Sequence, residues 1–270
     1  MEGWRLRILI KGAGDLATGV AVRLKRAGFQ VVMTDLPHPT AVRRTVSFCE
    51  AIPEGEMVVE GIRAQRAESA DAALSIMARG DIAVLADPEA RCLDYFRPAA
   101  LVDAILAKRN TGTRMGDAPV VVALGPGFTA GTDCHAVVET MRGHDLGRVI
   151  TEGSARPNTG VPGEIGGYTV ERLLRAPADG AFEPLRAIGD LVSAGETVAA
   201  VSGQAMCARI SGVLRGLLRA GTLVHLGMKS GDIDPRCAVS HCFSVSDKAR
   251  AIGGGVLEAI LGLGGFLDGK

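Results

Sequence analysis

RLRILIKGAGDLATGVAVRLKRAGFQVVMTD (Arg5–Asp35) is the most informative run in this 270-residue sequence. Leu6, Ile8, Leu9 and Ile10 form a short apolar run that reads as a buried strand. Gly12, Gly14 and Ala17 complete G-x-G-x-x-A, a permitted variant of the dinucleotide fingerprint. Ala17, Val20, Ala21 and Leu24 recur at helical spacing, Gly28 stops that helix, and Gln30–Thr34 reads as a second strand closed by Asp35. Each part has a physical role in holding a nucleotide. The first glycine permits a sharp turn, and the second lets a pyrophosphate approach without meeting a Cβ. The small residue lets helix and strand pack closely, above a helix N-terminus that favours negative charge. An acid about 20 residues on accepts hydrogen bonds from a ribose. The candidate nucleotide-binding residues are therefore Gly12, Ala13, Gly14, Asp15, Ala17 and Asp35. Asp15 either caps the helix or repels a phosphate there.

Working outward, LPHPT follows Asp35, and Val42, Val46 and Phe48 suggest an extended segment. Arg43, beside Arg44, is a candidate for neutralising a phosphate, such as the 2′-phosphate of NADP. Glu56–Arg63 reads as a strand, Glu68–Arg79 as a helix stopped by Gly80, Asp81–Ala86 as a strand, and Ala99–Lys108 as a helix. This alternation predicts an α/β fold: a Rossmann-like, open, mostly parallel sheet over residues 1–112. The polar run Lys108–Pro119 marks a boundary. Residues 113–270 read as a mainly β domain. Within it, about 175–236 alternate short apolar runs with glycine turns, similar to the biotinyl/lipoyl-type β-sandwich (a barrel-sandwich hybrid). Its hairpin tip, Ser202–Met206, lacks the lysine of a swinging-arm carrier. Ser246 and Asp247 open a C-terminal helix, and the apolar, glycine-rich Ala251–Leu267 reads as buried helix rather than a membrane span.

Composition narrows the function. Thirty basic and 30 acidic residues cancel, and aromatics make up only 4%. Neither a nucleic-acid surface nor a base-stacking platform is expected. Six cysteines with no leader read as free thiols in the cytoplasm. No G-x-S-x-G, H-E-x-x-H or Walker motif occurs. What remains is Asp133–Cys134–His135 after a glycine-rich turn, and Cys237, His241 and Cys242 in DPRCAVSHC. Cys134, His135, His241 and Cys242 are a soft donor set suited to zinc or to a sulfur or selenium species. Their spacing matches no standard zinc pattern, and no metal site is assigned. Asp133, Cys134, His135 and Cys242 are the candidate catalytic residues.

The runs IKGAGDLATGVAVRLKRAGF, AVRRTVSF, LGPGFTAGTDCHAVVET, RGHDLGRVI, NTGVPGEIGG, SGVLRGLL, GDIDPR and SDKARAIGGGVLEAIL follow one another along the chain. Together they resemble the accessory (maturation) protein family of the bacterial selenium-dependent molybdenum hydroxylase system. The resemblance implies a cytoplasmic maturation factor for xanthine dehydrogenase-like clients, whose partner is the client enzyme or its molybdenum cofactor. A nucleotide or nucleotide-bearing cofactor, NAD(P) or another, would occupy the Rossmann crevice, and homo-oligomers are open to it. It supplies no catalytic residues, and Cys237 stands where that family is expected to carry glycine. Whether the chain is an enzyme stays open. The alternatives are an NAD(P)-dependent oxidoreductase of a small metabolite and a non-catalytic partner-binding scaffold.

Overall fold

The computed structural model describes residues 6–265, so Phe266 and Leu267 of the expected C-terminal helix lie outside it. The chain forms two compact units. The first takes the chain up to Pro39, Ser47–Thr159 and everything from Val245 on; the second takes Thr40–Val46 and Gly160–Ser244. The chain thus leaves the first unit twice, where the sequence suggested one boundary between residues 112 and 113.

In the first unit, β1 (Arg7–Lys11) leads into α1 (Asp15–Arg26) and β2 (Gln30–Asp35). Ile8, Leu9 and Ile10 are wholly buried, as are Ala17, Val20, Ala21 and Leu24 along the inner face of α1. Arg23, Lys25 and Arg26 in its last turn complement the helix dipole. After a short α2 (Ala51–Glu54) come β3 (Glu56–Val59) and β4 (Ile62–Ala67), then α3 (Ala70–Ala78) and β5 (Ile82–Ala86). Where the sequence suggested one strand, Glu60 and Gly61 both take positive φ and fold a hairpin. A short α4 (Leu93–Phe96) precedes β6 (Ala100–Asp103), β7 (Val120–Leu124), β8 (Thr129–Ala130), β9 (Ala136–Val138), β10 (Val149–Ile150) and β11 (Gly153–Ser154).

The expected helix over Ala99–Lys108 is instead β6, all four of whose residues are buried. It lies parallel between β1 and β7, and Leu106 and Lys108 beyond it have positive φ, which no helix continues. Burial on both faces overrides the helix propensity of its alanine and leucine.

The expected fold class is corrected here. A nine-stranded mixed sheet, ordered β10-β9-β7-β6-β1-β2-β5-β4-β3, replaces the open Rossmann-like sheet ending at residue 112. It runs on through β7, β9 and β10, its two edge strands are antiparallel, and a hairpin rather than a helical crossover brings in β4. Leu9, Val32, Leu101, Val121, Phe96 and Phe128 share one core on a face of this sheet.

The last helix, α5 (Asp247–Leu263), belongs to the first unit. Ser246 accepts a hydrogen bond from the Ala249 amide and caps it. It crosses α1 at a distance only glycine allows. A Cβ at Gly19 would stand 2.6 Å from that of Ala249, and one at Gly255 would run into the Gly147 carbonyl. No helix among the described residues is long and apolar enough to cross a membrane.

The second unit holds β12 (Leu173–Arg175), β13 (Gly180–Pro184), β14 (Leu191–Val192), β15 (Thr197–Val201), β16 (Gln204–Cys207), β17 (Gly212–Leu217), β18 (Leu223–Val224) and β19 (Lys229–Asp234). They make two antiparallel sheets, β12-β19-β17-β14 and β16-β15-β13-β18, over a core of Phe182, Val198, Val201, Leu214, Leu217 and Ile233. The biotinyl/lipoyl sandwich is not supported. The unit needs β12 and the distant Thr40–Val46 segment, which a two-half repeat lacks. The expected extended run at Val42–Phe48 instead passes into 3₁₀ turns at Arg44–Val46 and Phe48–Glu50. The Leu217 amide donates to the Val42 carbonyl (2.8 Å), and Arg44 Nε donates to the Leu217 carbonyl (2.8 Å).

A buried ionic ladder stiffens this unit. Arg172 pairs with Asp232 (3.1 Å), Arg215 reaches both Asp232 and Asp234 (3.2 Å to Asp234), and Arg236 pairs with Asp234 (2.6 Å). Burial works to raise the Asp234 pKa, but hydrogen bonds from Arg236 and the charge of Arg215 outweigh it and bring the group from 3.8 down to about 2.

Two outcomes follow from this packing. Gly19→Val is expected to destabilise the chain by about 1–3 kcal/mol through overpacking, read from urea denaturation. Because the folded Asp234 pKa is depressed, its contribution is complete above 3.8 and disappears as the pH falls through about 2. Asp234→Asn is expected to flatten that acid limb in melting curves taken across the window.

Candidate functional site

The sheet changes direction of growth at its centre. β2 lies on one side of β1 and β6 on the other, so the carboxyl ends of β1 and β6 flank a topological switch point. Each strand ends there in a charge. Lys11 and Asp103 are register partners and are 6% and 1% exposed. Lys11 Nζ donates to Thr113 Oγ1 (2.7 Å) and lies 3.7 Å from Asp103 Oδ2. The Thr113 hydroxyl spends its one proton on Asp103 Oδ2 (2.6 Å), and the Ile105 amide donates to Asp103 Oδ1 (3.2 Å). Gly12 makes the turn beside them at φ +91°, where a Cβ would stand 2.8 Å from the Ala104 carbonyl.

The loop that supplies Thr113 is itself tied down. Asn110 Oδ1 accepts from the amides of Gly112 and Thr113 (2.8 Å each), and its amide group donates to the Thr113 carbonyl (2.8 Å) and Asp133 Oδ1 (3.3 Å). Sequence reading missed Lys11, Asp103 and Thr113. The available signal was a charged residue closing each of two apolar strands, ILIK and ALVD.

The glycine turn is occupied by the protein itself. Asp35 Oδ2 accepts the Ala13 amide at 2.6 Å and Oδ1 accepts the Leu36 amide at 2.7 Å. The Ala13 carbonyl accepts the Cys49 amide at 2.9 Å. Asp35 therefore takes a turn amide that a pyrophosphate would need, and it ties the turn rather than reading a ribose. Burial raises its pKa, against the two amides that lower it. Gly14 caps α1 without a side chain, Asp15 adds negative charge to the first turn, and Ala17 is wholly buried. Arg43 belongs to the second unit, where its guanidinium donates to the carbonyls of His241 (2.9 Å) and Ser244 (3.4 Å) rather than facing a phosphate.

The candidate catalytic residues are divided between the two units. Asp133 accepts the Thr129 amide (2.8 Å) in a turn, and His135 Nδ1 accepts the Val121 amide (3.0 Å), so its ring stands in for a strand carbonyl. Cys134 is packed in the core, where burial and the Asp133 carboxylate push its thiol up to about 12. Cys242 lies in the other unit, and burial raises it despite the opposing Arg43 charge. Cys49 is raised by burial and by Asp35, Glu50 and Asp15. Among the described residues, no group of three or more His, Cys, Asp or Glu side chains is placed to hold a metal.

Comparison with known proteins adds limited information. No family model matches the chain. It is 53% identical over 254 residues to the uncharacterized protein YqeB of Escherichia coli (strain K12), covering 94% of this chain and 47% of that protein. The chain thus spans about half the length of this curated relative. Solved structures with some likeness include an aspartoacylase family protein from Mesorhizobium loti, 11% identical with a TM-score of 0.28 over 84% of each chain. A succinylglutamate desuccinylase/aspartoacylase from Rhodobacter sphaeroides is 15% identical, with a TM-score of 0.27 over 86% of this chain and 85% of that one. Scores this low lend the chain neither a fold nor an activity.

The expected kinship is corrected by these results. Nothing in the names of the curated relative or of these solved structures points to a molybdenum hydroxylase accessory family. The maturation and selenium roles implied by that resemblance are set aside, and so are the nucleotide role read from the glycine fingerprint and the oxidoreductase and scaffold alternatives.

Thiol chemistry gives a direct check on the corrected site. In the native protein, an aromatic disulfide reagent is expected to label the exposed Cys207 and Cys237 rapidly. Cys49, Cys134 and Cys242 are expected to react only after denaturation, with the order of labelling read by peptide mapping.

Proposed function

We propose that the first unit binds a small, oxyanion-bearing molecule at the carboxyl ends of β1 and β6, with Lys11 donating to an oxygen of that molecule. The observation that carries this reading is the buried Lys11–Asp103–Thr113 set on register-paired strand ends. Ile8, Leu9, Ile10 and Leu101, just before it on the same strands, are all apolar. A buried ion pair seldom stabilises more than apolar residues of the same volume, so stability alone does not account for this one. Ligands of open α/β sheets sit outside the carboxyl ends of strands at such a switch point. In this reading Asp103 and Thr113 position the ammonium, and Gly12 lets the chain turn tightly against Ala104 beside it.

The occupant is smaller than a dinucleotide. Asp35 already fills the turn that would cradle a pyrophosphate, and Asp15 opposes negative charge there. Small carboxylates and inorganic phosphate are the chemical classes to screen.

The test separates stability from binding. Asp103→Ala leaves a buried ammonium without its counter-charge and is expected to cost about 3–5 kcal/mol in chemical denaturation. Replacing both partners, Lys11→Met with Asp103→Leu, is expected to recover wild-type stability or exceed it. In thermal-shift and titration screens, the wild type is expected to bind a member of the carboxylate and phosphate panel. The stable double variant should bind it at least about tenfold more weakly, the scale of one lost charge-assisted hydrogen bond. Equal affinity in wild type and double variant, or no binding by the wild type, overturns the reading.

A further inference from the structure

A cavity lies within the first unit, beside the edge strand β10, and the reading above does not use it. Its volume is about 460 Å³, and it is lined by Glu139, Asp145, Arg148, Val149, Ile150, Thr151, Glu152, Ser154 and Arg156. That size falls in the range of small-molecule sites, about 300–1,000 Å³.

Its charges are unevenly satisfied. Asp145 lies between two guanidinium groups, in contact with Arg156 and 3.6 Å from Arg148. Glu139 is only 2% exposed, and its oxygens accept the amides of Met141 (2.7 Å) and Arg156 (2.8 Å). These two bonds fix the carboxylate rigidly and use about half of the four positions at which a carboxylate accepts hydrogen. Among the described residues, neither Glu139 nor Glu152 has a cationic partner. A carboxylate this buried is normally paired with a cation as well as hydrogen-bonded. Half-buried Val149 and Ile150 supply an apolar wall beside it. Among the described residues, Glu139, Asp145 and Glu152 do not form a group placed to hold a metal, which favours an organic occupant.

We propose that this cavity binds a small aliphatic amine, with its ammonium on Glu139 and its methylene chain against Val149 and Ile150. Glu152 at the exposed rim adds attraction for the same charge, and the hydroxyls of Thr151 and Ser154 offer further acceptors.

Isothermal titration of the full chain with 1,4-diaminobutane and with n-butylamine tests this, with Mg²⁺ as the contrasting probe. Saturable binding of the amines is expected, weaker at high salt, with no heat from Mg²⁺. Glu139→Gln is expected to weaken the amine by tenfold or more. Because that substitution also disturbs the Met141 and Arg156 amides, Thr151→Trp, which fills the cavity from its exposed lip, is the second variant. It should abolish binding while leaving the ligand-free melting temperature unchanged. No amine binding by the wild type, undiminished binding by Thr151→Trp, or tighter binding of Mg²⁺ than of either amine overturns the proposal.

Discussion

The distance at which α1 and α5 pass each other governs the first unit. Gly19 faces Ala249, and Gly253 faces the Gly19 carbonyl, so the two backbones meet with little more than the Ala249 and Arg23 Cβ atoms beside them. Farther along α5, Gly255 meets the Gly147 carbonyl ahead of β10. Backbones this close gain dispersion contacts over a long seam and bury Ile252, Val256 and Ile260 completely. The sheet between β10 and β3 is laid down by residue 150, yet its α1 side is completed by a helix that starts only at residue 247. A side chain at the crossing would lift α5 from the sheet and uncover that layer.

Within this frame the glycine-rich turn and the charged strand ends divide the work. The turn has the residues of a phosphate cradle, but its hydrogen-bonding capacity is directed inward, to Asp35 and Cys49. One step away, Lys11 and Asp103 hold opposite charges directly after the apolar runs of their own strands. The Asp35 carboxylate is held by two backbone amides, whereas the Lys11 ammonium is held by a hydroxyl and a carboxylate. The same motif letters serve both designs, because what distinguishes them is the direction of one aspartate side chain.

Much of the local structure was legible. The apolar run before Gly12, the helical spacing to Leu24 and the Ser246 cap all mark elements that form where periodicity places them. The errors came from long-range partners. Ala100–Asp103 carries residues at home in a helix, and only β1 and β7 on either side make it a strand. Glu60 is an unremarkable residue for a strand, so its positive φ and the hairpin it makes left little trace. Cys134 and His135 looked reactive in a glycine-rich context. Burial in the core and a bond to the Val121 amide consume them, and neither is visible from neighbours in sequence. Lys11 and Asp103 stand 92 positions apart by their numbering, and register alone joins them.

The second unit borrows a piece of chain from well before its main body. Along the edge of β17, β14 covers only Gly212 and Val213, and the Leu217 end is covered by Val42 and Arg44. Gly216 leaves room there for the Val42 side chain, since a Cβ would stand 2.7 Å from Val42 Cγ1. That seat is therefore an open strand edge whenever the Thr40–Val46 segment is withdrawn, and it has the shape and the amide to accept an extended chain from another molecule. The arrangement makes an ordinary linker into an edge guard. A break in the chain just after Val46 would turn an intramolecular plug into an exchangeable one, with strand swapping between copies as the outcome.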